Sequence, residues 1–268
     1  MKVTIHTGAS RILHGTETLR RGLNKLAHEV MELICPSSCA VCREEIADSR
    51  QVLCEPCWGQ LRENLHDSYC RLCGHNIGPY GLIDGRCHRC QNRRPAVTRV
   101  VRVGDYDGPL RDLILAFKFG GQSRLDVFLG SLLAAAIIGD DELTSADVIV
   151  PIPLHWRRRW TRKYNQSELL ARSAVRELKH QGRIFPLSTD FVRVRYTQPQ
   201  TSMAPSHRLI NLRRAFAARP DAPFAGKHIC LVDDVTTTGT TLRVAAQALK
   251  KTGAARVSAA VLAVAAND

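Results

Sequence analysis

A chain of 268 residues with 44% apolar side chains can build one large or two modest cores and is not a disordered tail. Its 38 Lys and Arg against 25 Asp and Glu leave a formal charge of +13, which favours anionic partners without choosing between small phosphates and nucleic acid. Apolar runs such as residues 132–138 are far too short to cross a bilayer, and the first thirty residues show no secretory pattern, so a cytoplasmic protein without a membrane span is expected.

Three segments follow from composition: an N-terminal extension over residues 1–34, a cysteine-rich module over 35–95, and an α/β domain over 96–268. In the extension, Leu19, Leu23, Leu26, Val30 and Leu33 recur at helical spacing and predict an amphipathic helix over 17–34. Nine of the ten cysteines then fall between Cys35 and Cys90. Eight of them form four C-x-x-C pairs: Cys39 with Cys42, Cys54 with Cys57, Cys70 with Cys73, and Cys87 with Cys90. In a reducing compartment such pairs are metal ligands rather than disulfides. Each pair is a knuckle offering two thiolates, and two knuckles complete a tetrahedral structural zinc site. The first four cysteines are expected to hold one zinc and the last four another, with a cross-braced pairing as the alternative. His75 and His88 lie inside knuckles and could replace a thiolate, although complete pairs make this unnecessary. Cys35 and Cys230 are expected to pack as small side chains.

Past residue 96, strand-like and helix-like segments alternate, the pattern of a parallel sheet covered by helices. Residues 97–103 read as a strand. Pro109 opens a helix that turns Leu110, Leu113, Ile114 and Phe117 inward and stops at Gly120 and Gly121. A second helix covers 125–138, and a short strand over 148–150 is broken by Pro151 and Pro153. Asn165 with Glu168 three residues on predicts a side-chain N-cap for a helix carrying Leu169, Leu170, Ala174 and Leu178 inward. Residues 229–232 suit a buried parallel strand, 240–251 a helix closed by Gly253, and 257–264 a final strand.

The most informative segment is Ile229-Cys230-Leu231-Val232-Asp233-Asp234-Val235-Thr236-Thr237-Thr238-Gly239-Thr240-Thr241. An apolar strand delivers two adjacent acids, and a Thr/Gly-rich turn opens a helix. Turn and helix amides suit a phosphate, and Gly239 lets the backbone approach closely. Adjacent carboxylates repel a phosphate but suit two vicinal hydroxyls, so one ribose 5-phosphate ligand explains the whole segment.

This strand, acid pair and T-T-G-x-T turn resemble the phosphoribosyl pyrophosphate (PRPP) motif of the type I phosphoribosyltransferases. By that resemblance Asp233 and Asp234 hold the ribose hydroxyls, and Thr237, Thr238, Gly239, Thr240 and Thr241 cradle the 5′-phosphate. Further segments narrow the match: Lys118-Phe119, Val150-Pro151-Ile152-Pro153-Leu154-His155, Arg162-Lys163-Tyr164-Asn165-Gln166, then Arg195, Thr197, Gln200, Thr201, Arg208, Asn211 and Ala215-Phe216. With the cysteine module before them, they resemble the ComF competence family, which includes the proteins called GntX, over nearly the whole chain. Lys163 and Tyr164 depart from that family's usual R-G-F-N-Q run. The resemblance implies a double zinc ribbon before a phosphoribosyltransferase-type domain and a link to DNA uptake, with other competence proteins as partners. It also implies magnesium entering with PRPP and a reaction in which an amine or nucleobase displaces pyrophosphate at the anomeric carbon. The pyrophosphate side is then expected at Pro151, Ile152, Arg162, Lys163, Asn165 and Gln166, and a mobile flap carries the catalytic candidates Arg195, Gln200 and Arg208.

The rival expectation is a single-stranded DNA-binding competence protein that keeps the ribose-phosphate pocket for sensing. It rests on the +13 charge, the zinc module and the run Arg157, Arg158, Arg159, Arg162 and Lys163, and it is weakened by an aromatic content of only 6%. Lys118 by itself also fits a simple role at a helix C-terminus.

Overall fold

The computed structural model describes residues 38–48, 50–65, 68–78, 81–91, 95–119, 124–154, 164–194 and 215–265. The predicted helix over 17–34, Cys35, the basic run from Arg157 to Lys163, and the flap residues Arg195, Gln200 and Arg208 lie outside these segments.

The chain divides into two compact units, the first ending at Cys57 and the second beginning at Trp58. In the first, a reverse turn brings the Cys39 amide onto the Glu44 carbonyl at 2.8 Å, and Arg43 adopts the left-handed conformation (φ 68°) that the turn needs. Cys39, Ile46, Leu53 and Cys57 are buried there. Helix α1 (Glu55–Asn64) carries the chain across the division.

The second unit is built on a parallel sheet. Its strands are β1 (Val100–Asp105), β2 (Val148–Pro151), β5 (His228–Thr236) and β6 (Arg256–Val264), in the spatial order β1-β6-β5-β2. Strands 5 and 6 are central, so both faces of each must be apolar. Accordingly, eight of the nine residues of β6 are buried. Its Ser258, Ala259, Ala260 and Ala263 are small enough for covering elements to approach closely.

Helices α2 (Gly108–Phe119), α3 (Arg124–Ile138), α4 (Asp141–Thr144), α5 (Gln166–His180) and α6 (Thr240–Lys251) occupy the crossovers. On one face α6 buries Leu242, Ala245, Ala246 and Leu249 against Val150, Ile229, Leu231 and Val261. A two-stranded antiparallel ribbon, β3 (Phe191–Arg193) with β4 (Phe216–Ala218), joins this core by stacking Phe191 on Phe216 at 5.4 Å between ring centroids. Helices α3 and α5 pack on each other and on the sheet. Gly130 of α3 is what permits their approach, since a Cβ there would stand 2.5 Å from the Ser173 Cβ. The contact is sealed by Ser173 Oγ donating to Asp126 at 3.0 Å.

The second cysteine group belongs to this unit and rests on the sheet edge. The Val100 amide donates to the Arg71 carbonyl at 2.7 Å, and a Cβ on Gly74 (φ 77°) would meet Val264 at 2.7 Å and Val100 at 3.2 Å. Arg102, with a side chain only 1% exposed, ties the same knuckle to β1 by pairing with Asp105 at 2.5 Å and donating to Asn76. Strand β1 thus covers 100–105 where the sequence pattern suggested 97–103, because the ladder with β6 runs on to Asp105.

Candidate phosphate and ribose site

All four parallel strands end on one edge of the sheet, where crevices for ligands form. Strand β5 reaches further toward that edge than the apolar run suggested. It continues to Thr236 because β6 offers partners throughout, pairing Asp233 with Val261 and Thr236 with Val264. The two acids therefore sit in the second half of a ladder-bonded strand, on a rigid frame, rather than just beyond its end.

Each acid has a partner. Ser167, in the first turn of α5, donates its hydroxyl to Asp233 Oδ1 at 2.8 Å, and the Asp234 amide donates to the same oxygen at 3.0 Å. Burial, reinforced by the neighbouring Asp234 carboxylate, pushes the Asp233 acid up to about 7, against the opposing pull of those bonds and of the Lys118 charge. Asp234 Oδ2 lies 3.1 Å from the Lys118 ammonium, with both side chains largely covered (13% and 14% exposed). Its Oδ1 accepts the Val235 amide at 2.6 Å.

The turn beyond is built for an anion. Gly239 is the N-cap of α6 with φ 68° and ψ 7°, and no side chain caps the helix, so its leading amides are left for another acceptor. A Cβ on Gly239 would meet nothing within 4 Å. The left-handed backbone calls for glycine there, and the space beside it is open. The Thr238 and Thr240 hydroxyls lie 2.8 Å apart across the turn, Thr237 is exposed, and Thr241 is half-buried in the first turn of α6.

Beside β5, the Ile152 amide continues the ladder by donating to the Val232 carbonyl at 2.8 Å, just past Pro151. Asn165 occupies the N-cap position of α5, but its side chain makes no capping bond. Its Nδ2 donates instead to the Ile152 carbonyl at 3.2 Å, which fixes the amide's orientation and binds the start of α5 to the end of β2. The predicted capping box is thus replaced by a tertiary bond, and Glu168 pairs with Arg172 at 2.9 Å. This leaves Asn165 Oδ1, an acceptor, and Gln166 Nε2, a donor, buried without a hydrogen-bond partner among the described residues. Buried polar atoms of that kind are expected at ligand sites. Arg162 and Lys163, expected on the same side, lie outside the described residues.

Sequence reasoning did not assign Ser167 or Lys118 to the site. Ser167 carried no motif signal. Lys118 did carry one, in the Lys118-Phe119 segment of the family resemblance, directly after the apolar run Leu113-Ile114-Leu115-Ala116-Phe117; that helix end is tied to the lead of α5 by the Tyr164 hydroxyl donating to the Phe117 carbonyl at 2.7 Å.

The cysteines form two separate clusters, Cys39, Cys42, Cys54 and Cys57, and Cys70, Cys73, Cys87 and Cys90, with all ligand atoms of each within 4.8 Å of one another. The Cys42 and Cys54 sulfurs are 3.5 Å apart, and those of Cys73 and Cys87 are 3.6 Å apart. A tetrahedron of sulfurs about 2.3 Å from a zinc ion has edges of about 3.8 Å, so the donor sets fit. Burial and the surrounding thiolates push the Cys57 and Cys73 thiols up, the repulsion that a divalent cation relieves. Sequential pairing, not cross-bracing, is what the fold builds. Neither His75 nor His88 is in a cluster, and Cys230 is fully buried in β5.

Residues 165–268 match the phosphoribosyl transferase domain family, and residues 30–91 match the double zinc ribbon domain. The DNA utilization protein YhgH of Salmonella typhi is 36% identical over 228 residues, covering 84% of this chain and 96% of the relative. Competence protein F of Haemophilus influenzae is 33% identical over 219 residues, covering 80% of this chain and 91% of the relative. The chain belongs to this family of DNA utilization and competence proteins. Competence protein ComFC of Bacillus subtilis is a more distant member, 28% identical over 78% of this chain and 83% of its own length. Among solved structures, the glutamine PRPP amidotransferase of B. subtilis is 18% identical over 55% of this chain and 30% of that chain, with a TM-score of 0.36. This competence-family member therefore joins a double zinc ribbon to a phosphoribosyltransferase-type parallel sheet flanked by helices. No helix among its described residues is long and apolar enough to cross a membrane.

Proposed function

We propose that the chain binds PRPP, or a related ribose 5-phosphate ligand, at the carboxyl edge of its sheet and serves the use of external DNA in the cytoplasm. The observation that supports this most is the pairing of two strand-held acids with an uncapped helix N-terminus one short turn away. In this reading Asp233 and Asp234 take the ribose diol, and the amides and hydroxyls of residues 237–241 take the 5′-phosphate. Gln166 Nε2 has the right polarity for a diphosphate oxygen. Asn165 Oδ1 does not, because it too is an acceptor, and it is assigned to a water or an N–H group. Magnesium, which would enter with the diphosphate and draw most of its ligands from it and from water, lowers the charge of the leaving group. Asn165 Oδ1 would hold one of those waters.

As a transferase, the chain would hold both phosphate ends of the sugar while an amine or nucleobase displaces pyrophosphate. An oxocarbenium-like transition state needs that fixed geometry, which the two acids and the helix amides would supply. The catalytic candidates in this reading are Arg195, Gln200 and Arg208.

Calorimetric titration of PRPP with magnesium into the zinc-loaded protein tests the reading. Saturable one-to-one binding is expected, with a loss of at least tenfold in Asp233→Asn/Asp234→Asn. Absence of binding by the wild type refutes it. Pyrophosphate release with ammonia or nucleobases then separates an enzyme from a sensor. The single-stranded DNA reading rests on the +13 charge and predicts an affinity that falls steeply with added salt.

A further inference from the structure

We propose that Lys118 is itself a ligand-binding residue, the cation that receives the 1-diphosphate, with Asp234 holding its ammonium on the anomeric side of the sugar. This rests on the PRPP reading above and adds to it a residue from outside the strand, acid pair and T-T-G-x-T turn.

Three observations carry it. Lys118 is in the last turn of α2, where a lysine serving only the helix dipole would extend into water, yet its side chain is 14% exposed. Lysines are rarely so covered unless they are paired, and the partner here, at 3.1 Å, is one of the two acids assigned to the diol. The position is also fixed from outside the pair. The Tyr164 hydroxyl bonds the Phe117 carbonyl at 2.7 Å, and their rings meet at 6.3 Å, so the end of α2 is tied to the segment that leads into Asn165 and Gln166.

The chemistry of the ligand completes the argument. The two hydroxyls of the diol lie one and two carbons from C1, so a diphosphate on C1 starts within about 8 Å of the carboxylate that holds either of them. An ammonium already on Asp234 is therefore beside the group that carries the most negative charge. It has also been stripped of much of its water beforehand, so little reorganisation is needed when the anion arrives. Among the described residues, Lys118 is the cation in contact with either acid.

A purely structural pair would affect every ligand of the site alike, whereas a diphosphate contact discriminates. The test compares PRPP and ribose 5-phosphate, each with magnesium, on the wild type, Lys118→Gln and Lys118→Arg by calorimetry, with zinc content and melting temperature confirming the fold. Lys118→Gln keeps a donor for Asp234 and removes only the charge. The expected result is a PRPP affinity reduced on the order of tenfold, as for one charge-assisted contact, with ribose 5-phosphate changed less than threefold and the preference for PRPP largely restored by Lys118→Arg. Equal losses for both ligands, or an unchanged PRPP affinity, overturn the assignment and leave the site reading standing. A wild type that binds neither ligand brings down the site reading itself, and this assignment with it.

Discussion

Asp233 makes stability depend on pH in a direction opposite to that of most carboxylates. Its acid is raised from 3.8 to about 7, chiefly by burial and then by Asp234. A group with a raised folded pKa binds its proton more tightly in the native state. Its stabilising contribution is complete below pH 3.8 and is lost as the pH climbs through about 7. The interval corresponds to about 4 kcal/mol at most, and partial contact of the carboxyl with solvent brings the expected figure to about 2 kcal/mol. Asn cannot titrate and keeps an oxygen for the Ser167 hydroxyl, so Asp233→Asn removes the effect with little change in shape. Urea unfolding of the zinc-loaded wild type and variant between pH 5 and pH 8 isolates it, because thiolate and histidine titrations common to both cancel in the difference. Because only the upper two-thirds of the interval lies above pH 5, the wild type is expected to lose about 1 kcal/mol relative to the variant over that range. A difference that stays flat with pH would refute the burial argument.

Three other perturbations test separate parts of the fold. Gly130→Ala forces a methyl to within 2.5 Å of the Ser173 Cβ and is expected to cost about 1–3 kcal/mol, read as a lower melting temperature. Asn165→Asp would be harmless at an ordinary N-cap. Here it sets a carboxylate against the Ile152 carbonyl and is expected to cost about 1–3 kcal/mol and to weaken ligand binding. The protein should carry two zinc ions by native mass spectrometry. Cys73→Ser should remove one of them and also lower the stability of the sheet domain, because the Arg71 carbonyl accepts the Val100 amide of β1.

The α/β architecture, the two cysteine quartets and the strand, acid and glycine order at residues 229–241 were legible in the sequence because each is a local pattern with a short period. The length of β5 was not. Aspartates are poor strand formers, so the apolar run seemed to end at Val232, and only the equally long β6 carries the ladder to Thr236. The side chain of Asn165 was misread for a related reason: a capping pattern is visible along the chain, but the Ile152 carbonyl that outcompetes it comes from another element. The ion pair of Lys118 with Asp234 joins positions far apart in sequence, and nothing local identifies the partner. The β3 and β4 ribbon was missed because each strand is only three residues long, too short for alternation to show.

The most direct measurement is a crystal structure of the zinc-loaded protein with PRPP and magnesium. The account predicts the 5′-phosphate within about 3 Å of the amides of residues 237–241 and the ribose hydroxyls on the carboxylates of Asp233 and Asp234. A sugar-phosphate bound elsewhere, with both acids still engaged only by Ser167 and Lys118, would contradict it.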